Sequence, residues 1–135
     1  MNRLFQLEVG HVLQPVLIQN VSLKWITRYA EVSKDFNPIH LDKGAARHLG
    51  FKHPIVHGML TMGFASRILS PYMNANTLIQ QMRVTFRAPL LIGEGVELMG
   101  VIKEKSADEV NVVVKGMSSS GLQVFHGQVI VKNRK

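Results

Sequence analysis

Two residues of the segment Ser33-Lys34-Asp35-Phe36-Asn37-Pro38-Ile39-His40-Leu41-Asp42 can do acid–base chemistry: Asp35 and, five positions on, His40. Pro38 fixes its own φ and pushes Asn37 towards extended backbone. Asn37 and Asp35 are turn formers whose side chains bond nearby backbone. The acid and the imidazole therefore stand at the two ends of one rigid bend. A carboxylate that accepts a proton and an imidazole that donates one suit a reaction that moves protons through a single water, and such groups contribute roughly 10²–10⁴-fold in rate. Asp-to-His spacings are common in loops, and the pair alone reads more readily as a structural Asx turn beside a partly buried histidine. Asn37 and Pro38 at their fixed places narrow the choice. At about 5% usage per residue type, four fixed positions recur in a chain of this length on the order of once in 10³.

A second piece is His57-Gly58, at the start of an apolar stretch. The first N–H groups of a helix lack internal partners and lie at the positive end of its dipole. Gly58 lets a ligand approach such an N–H closely, although the glycine taken alone reads more readily as one that serves close packing. A thioester carbonyl becoming an enolate calls for this kind of donor, worth about 10²–10³ in rate. His48, His53 and His57 have neither a shared helix face nor a zincin spacing, so no metal site is expected. Arg83 and Arg87 fall on the polar face of a strand, where solvation is the default reading and a nucleotide-phosphate anchor the alternative.

The elements that must position these residues follow from periodicity. Phe5 to Val21 reads as one or two short extended pieces around Gly10 and Pro15. Ser22 is an N-cap signal for a helix from Leu23 to about Ser33, and a helical turn over Lys43 to Leu49 ends at Gly50. From Gly58 to Leu69 the chain is apolar on nearly every side, the pattern of a buried helix, about 18 Å long and stopped by Pro71. The second half alternates with period two through Leu78–Phe86, Val96–Ile102, Val110–Val114 and Leu122–Lys132. Gly127 marks a bulge in the last of these. Turns are expected at Pro89–Gly95, Ser106–Asp108 and Ser118–Gly121. Four consecutive strands imply an antiparallel sheet, and with one buried helix an α+β fold in which the sheet wraps the helix.

The chain of 135 residues is one domain's worth, large enough to bury roughly two-thirds of its unfolded surface. Hydrophobic residues make up 46% and charged residues 19%, which are globular values. Zero cysteine excludes disulfides and thiolate chemistry and fits a cytoplasmic location. Neither a secretory signal after Met1-Asn2-Arg3-Leu4, nor a membrane span, nor a C-terminal address in Lys132–Lys135 is read. The net charge of +7 favours anionic partners. The Lys and Arg residues are dispersed, which speaks against nucleic acid.

The stretch from Tyr29 to Gly63, with Asp-x-Asn-Pro-x-His followed by Pro-Ile-Val-His-Gly-Met, resembles the signature region of MaoC-like dehydratases, the (R)-specific enoyl-CoA hydratases of hotdog fold. Weaker similarity extends from Leu7–Leu13 to Phe86–Val96. The resemblance implies one hotdog domain over residues 1–135, a sheet around a long central helix, and a homodimer. It implies hydration of trans-2-enoyl thioesters of coenzyme A or acyl carrier protein to the (3R)-hydroxyacyl thioester, and the reverse, without metal or redox cofactor. Asp35 and His40 would be the catalytic pair and Gly58 the carbonyl donor. Asn37, His57 and Ser66 would fall at substrate-side positions. The common Ser-Gly-Asp reads Ser33-Lys34-Asp35, Val-Gly-Asp reads Val9-Gly10-His11, and a later Gly-Asp reads Gly93-Glu94. Two rival readings are a hotdog thioesterase and a binding module without turnover. The absence of Asp or Glu from Gly58 to Ser70 speaks against the first, and the intact acid–histidine pair against the second.

Overall fold

In the computed structural model, residues 3–134 are described; the readings that rest on Met1, Asn2 and Lys135 lie outside them. A 3-10 turn at Arg3–Gln6 precedes β1 (Val16–Ile18), α1 (Leu23–Ser33), α2 (Pro38–Leu41), α3 (Lys43–His48) and α4 (Gly58–Ala65). Two 3-10 turns, Ser66–Ile68 and Ser70–Tyr72, extend α4. Then come β2 (Thr77–Phe86), β3 (Val96–Lys105), β4 (Glu109–Ser118) and β5 (Gln123–Asn133).

The local signals act where expected. The Ser22 hydroxyl accepts the Trp25 N–H at 3.3 Å and caps α1. The buried helix is shorter than its apolar run: α4 ends at Ala65. There the Ser66 hydroxyl bonds back to the Gly63 carbonyl at 2.7 Å, a competing interaction that tightens the last turn, and Pro71 cannot continue the α-helix. Nor is α4 enclosed on every side within one chain, since Met59 is 65% exposed.

All five strands form one antiparallel sheet in the order β1-β3-β4-β5-β2. β2 therefore pairs with β5 and not with its successor β3, and the 87–95 connection crosses the end of the sheet. The inward residues Val96, Leu98 and Ile102 of β3, Val110, Val112 and Val114 of β4, and Phe125, Val129 and Val131 of β5 are buried with Ala65, Ile68 and Leu69. Gly100 supplies the notch for this contact: a Cβ there would lie 2.8 Å from the Ile68 Cγ2.

Gly127 is not a bulge; it pairs in register with Val84 and Val114. The extra residues are Gln80, Lys103 and Val124. The bulge at Val124 makes two successive residues, Val124 and Phe125, point inward. No described helix is long and apolar enough to cross a membrane.

Candidate active site

The Asp35–His40 bend is closed by its own polar groups. α1 ends on Lys34, the one non-glycine residue described with positive φ (64°). That left-handed step turns the chain so that the Asp35 N–H reaches the Ser33 hydroxyl at 3.3 Å. Asp35 Oδ1 accepts the Asn37 N–H at 3.2 Å, and Asn37 Oδ1 accepts the Ile39 N–H at 3.1 Å, capping α2. Pro38 occupies the first turn of α2, where its missing N–H costs nothing. Asp42 closes the far side by accepting the Gly44 N–H at 2.9 Å, so that α3 starts at once. α2 itself, a single turn that carries His40, is invisible to periodicity, because four residues are too few to show one.

The segment before α4 is held by the loop after β2. The Ile92 N–H donates to the Pro54 carbonyl at 2.8 Å and the Val56 N–H to the Leu90 carbonyl at 2.7 Å. This fixes the Ile55 carbonyl, which accepts the His40 Nδ1–H at 2.8 Å. With Nδ1 donating, the neutral imidazole presents its Nε2 lone pair. Nε2 lies 3.8 Å from Asp35 Oδ2, the histidine side chain 11% and the acid 50% exposed. That gap is too wide for a direct hydrogen bond and suits a single water donating one hydrogen to each acceptor.

His57 ties the two halves together. It is buried at 2% exposure, its Nε2–H donates to the Asp35 carbonyl at 3.1 Å, and its ring stacks on His40 with centroids 3.8 Å apart. Tyr29 packs edge-on against the same ring, with centroids 4.9 Å apart. His57 Nδ1 is buried without a partner. Gly58 follows as the first residue of α4, so its N–H has no partner inside the helix. It lines both a cavity of about 340 Å³ that contains His40 and one of about 430 Å³ that contains Asp35.

Asp35, His40, His57 and Gly58 thus come together. Asn37 spends its side chain on the cap of α2. Ser66 lies eight residues along from Gly58, about 12 Å at helical rise, with its hydroxyl turned to its own helix. Among the described residues, the groups that could hold a metal are Asp35, His40 and His57, with one ligand atom each within 4.8 Å of the others; His48 and His53 stand outside this cluster. Two further lining groups escape a reading of the sequence. Phe86, 47% exposed, borders both cavities, its ring 3.5 Å from where a Gly58 Cβ would stand. The Ile55 carbonyl is a backbone atom that no residue type announces. Arg87 borders the His40 cavity, whereas Arg83 is absent from the lining of either cavity.

The profile of the family described as MaoC like domain matches residues 5–123, and the chain belongs to that family. It is 38% identical over 97 residues to a mitochondrial 3-hydroxyacyl-[acyl-carrier-protein] dehydratase of Arabidopsis thaliana, covering 72% of this chain and 55% of that protein. The chain thus spans about half the length of the Arabidopsis relative. It is 26% identical over 129 residues to the (R)-specific enoyl-CoA hydratase of Aeromonas caviae, covering 93% of this chain and 95% of that one. The solved R-hydratase of Pseudomonas aeruginosa, in its unliganded form, superposes with a TM-score of 0.84 at 26% identity, covering 96% and 83% of the two chains. The fold is the hotdog fold.

Proposed function

We propose that the protein is a hydro-lyase that adds water to a trans-2-enoyl thioester to form the (3R)-hydroxyacyl thioester, and catalyses the reverse dehydration. The observation that carries this reading is the 3.8 Å gap between Asp35 Oδ2 and His40 Nε2, beside a helix start with a free N–H. A water in the gap donates to both acceptors. Its oxygen adds to C3 of the enoyl group while one of its protons passes to the pair. The charge that develops on the thioester oxygen is met by the Gly58 N–H. The pair then returns a proton to C2 from the side on which the water sat, so one H and one OH are added to the same face. Which partner takes the proton is a property of the pair. On this reading His57 and Asn37 act by holding Asp35 and His40, and Ser66, which lines neither cavity, is assigned at most to a distal part of the acyl chain.

The acceptor of this chemistry is an acyl group on coenzyme A or acyl carrier protein, in keeping with the relatives' names. A homodimer belongs to the same reading. β2 is an edge strand, and α4 leaves Met59 exposed and Met62 only half-buried, an apolar face suited to a second copy.

The test is hydration of C4 to C12 trans-2-enoyl-CoAs with chiral analysis of the product. Asp35→Asn and His40→Gln are each expected to lower kcat by about 10²–10⁴ with unchanged circular dichroism. Full activity in both variants would sink the assignment. Release of free coenzyme A would make the protein a thioesterase, and binding without turnover at any chain length would make it a binding module.

A further inference from the structure

Helix α1 buries Ile26 and Ala30 in the core and still carries a second apolar strip on its outer side. Trp25, Arg28, Tyr29 and Val32 stand at i, i+3, i+4 and i+7, one face of the helix. With Lys24 and Leu60 they line a groove of about 440 Å³. Val32 is 82% and Trp25 45% exposed. Among the described residues, no carboxylate pairs with either Lys24 or Arg28. Tyr29 also lines the cavity of Asp35, so the groove and the catalytic cavity meet at one side chain.

We propose that this groove docks an acidic, helix-faced acyl carrier protein whose flexible arm enters the catalytic cavity past Tyr29; the proposal rests on the hydro-lyase reading. The chemistry favours this occupant over three others. A nucleotide carrier such as coenzyme A would set its phosphates on the cations and its adenine on one aromatic ring, but would leave uncovered the rest of a strip that runs from Trp25 to Val32, about 10 Å along the helix. A second copy meeting this face with its own would bring Lys24 and Arg28 against their equivalents, a like-charge contact that costs association. An anionic membrane would answer the charge but offers no arm to reach Asp35 and His40. An amphipathic acidic helix satisfies both the apolar strip and the two cations, and the net charge of +7 steers it in.

The test presents one acyl group, trans-2-butenoyl, on coenzyme A and on an acyl carrier protein. The double variant Lys24→Glu/Arg28→Glu touches neither the catalytic pair nor Gly58. It is expected to lower kcat/KM for the carrier-protein substrate about tenfold or more, with the coenzyme A substrate changed less than about twofold. Raising salt should lower wild-type activity on the carrier-protein substrate and close the gap to the variant. Binding of holo-carrier protein, measured by calorimetry without turnover, should weaken in parallel, and this arm holds whether or not the hydro-lyase reading survives. Equal losses on both substrates, or unchanged carrier-protein kinetics and binding, would overturn the proposal. So would a variant that alters only the mass of the oligomer, or only sedimentation with vesicles of anionic phospholipid.

Discussion

On the proposed reading, His57 serves the chemistry by holding the acid and the imidazole in place. It is buried at 2% exposure, bonded to the Asp35 carbonyl and stacked on His40. It therefore sets the distance between the acid and the base. His57→Phe keeps the stack and loses the bond, and a displacement of the acid by about 1 Å costs on the order of tenfold to a hundredfold in rate. We expect kcat to fall by that factor with KM nearly unchanged, and His57→Gln, which keeps a donor, to recover most of the loss. Lys34 is the other residue that matters at this scale. Its φ of 64° is the left-handed backbone that favours glycine, the residue that the resembled Ser-Gly-Asp pattern has there. Left-handed backbone costs a non-glycine residue roughly 1–2 kcal/mol, and glycine's extra unfolded-state entropy returns about half of that. Lys34→Gly should therefore stabilise the protein by about 0.5–1 kcal/mol, read as a higher midpoint in urea unfolding with an unchanged slope. A lower midpoint would show that the lysine side chain contributes more than its backbone costs. Glu94, which stands in place of the Asp of the resembled pattern, closes the turn behind Val56, because its carboxylate accepts the Leu91 N–H at 2.8 Å.

At the scale of elements, close approach and not curvature explains Gly127. A Cβ there would stand 2.1 Å from the Arg83 carbonyl oxygen and 2.9 Å from the Val84 Cα, both backbone atoms of β2. Neither can rotate away. Gly127→Ala should cost about 3 kcal/mol, a fall in Tm on the order of 10 °C, and loosen the edge strand that ends at Phe86. A loss below about 1 kcal/mol would mean that β2 shifts freely against β5. The bulge at Gln80 has a related consequence. It moves the inward phase of β2, so that Ile79, Met82 and Val84 pack against the core where a strict alternation would place Gln80. α4 is recognisable as an element from its apolar run, but its end is not, because the Ser66 hydroxyl and Pro71 act only over the last turn.

The whole molecule is organised by what α4 has on each side. Thr61, Phe64 and Ala65 are buried, while Met59 and Gly63 face outward. A Cβ on Gly63 would meet nothing within 4 Å. The protomer can therefore accept a large side chain at Gly63 that a second copy packed on α4 cannot. Gly63→Arg is expected to convert a species of twice the 15.1 kDa chain mass into a monomer by light scattering, with unchanged circular dichroism. A wild type that is already monomeric, or a variant that remains dimeric, would move the copy–copy contact away from α4. The order β1-β3-β4-β5-β2 belongs to this scale as well. Sending β2 to the far edge puts Phe86 at the mouth of both cavities and carries the 87–95 loop back over Pro54–Val56, where it fixes the Ile55 carbonyl.

The sequence by itself determined the local matters: the capped α1, the Asn37-Pro38 brace, the apolar helix that opens on Gly58, and the period-two strands with their turns. Each is settled by residue types within a few positions of one another, so pattern and stereochemistry suffice. It also singled out Asp35, His40 and Gly58, because a rare spacing of chemically capable residues is visible in one dimension. The tertiary structure alone decided the strand order, the three bulges, the 3.8 Å opening between acid and imidazole, and the tautomer that faces it. These depend on hydrogen bonds to backbone atoms far apart in the chain. The His40–Ile55 and Asp35–His57 contacts join residues 15 and 22 positions apart through carbonyl oxygens that every residue carries.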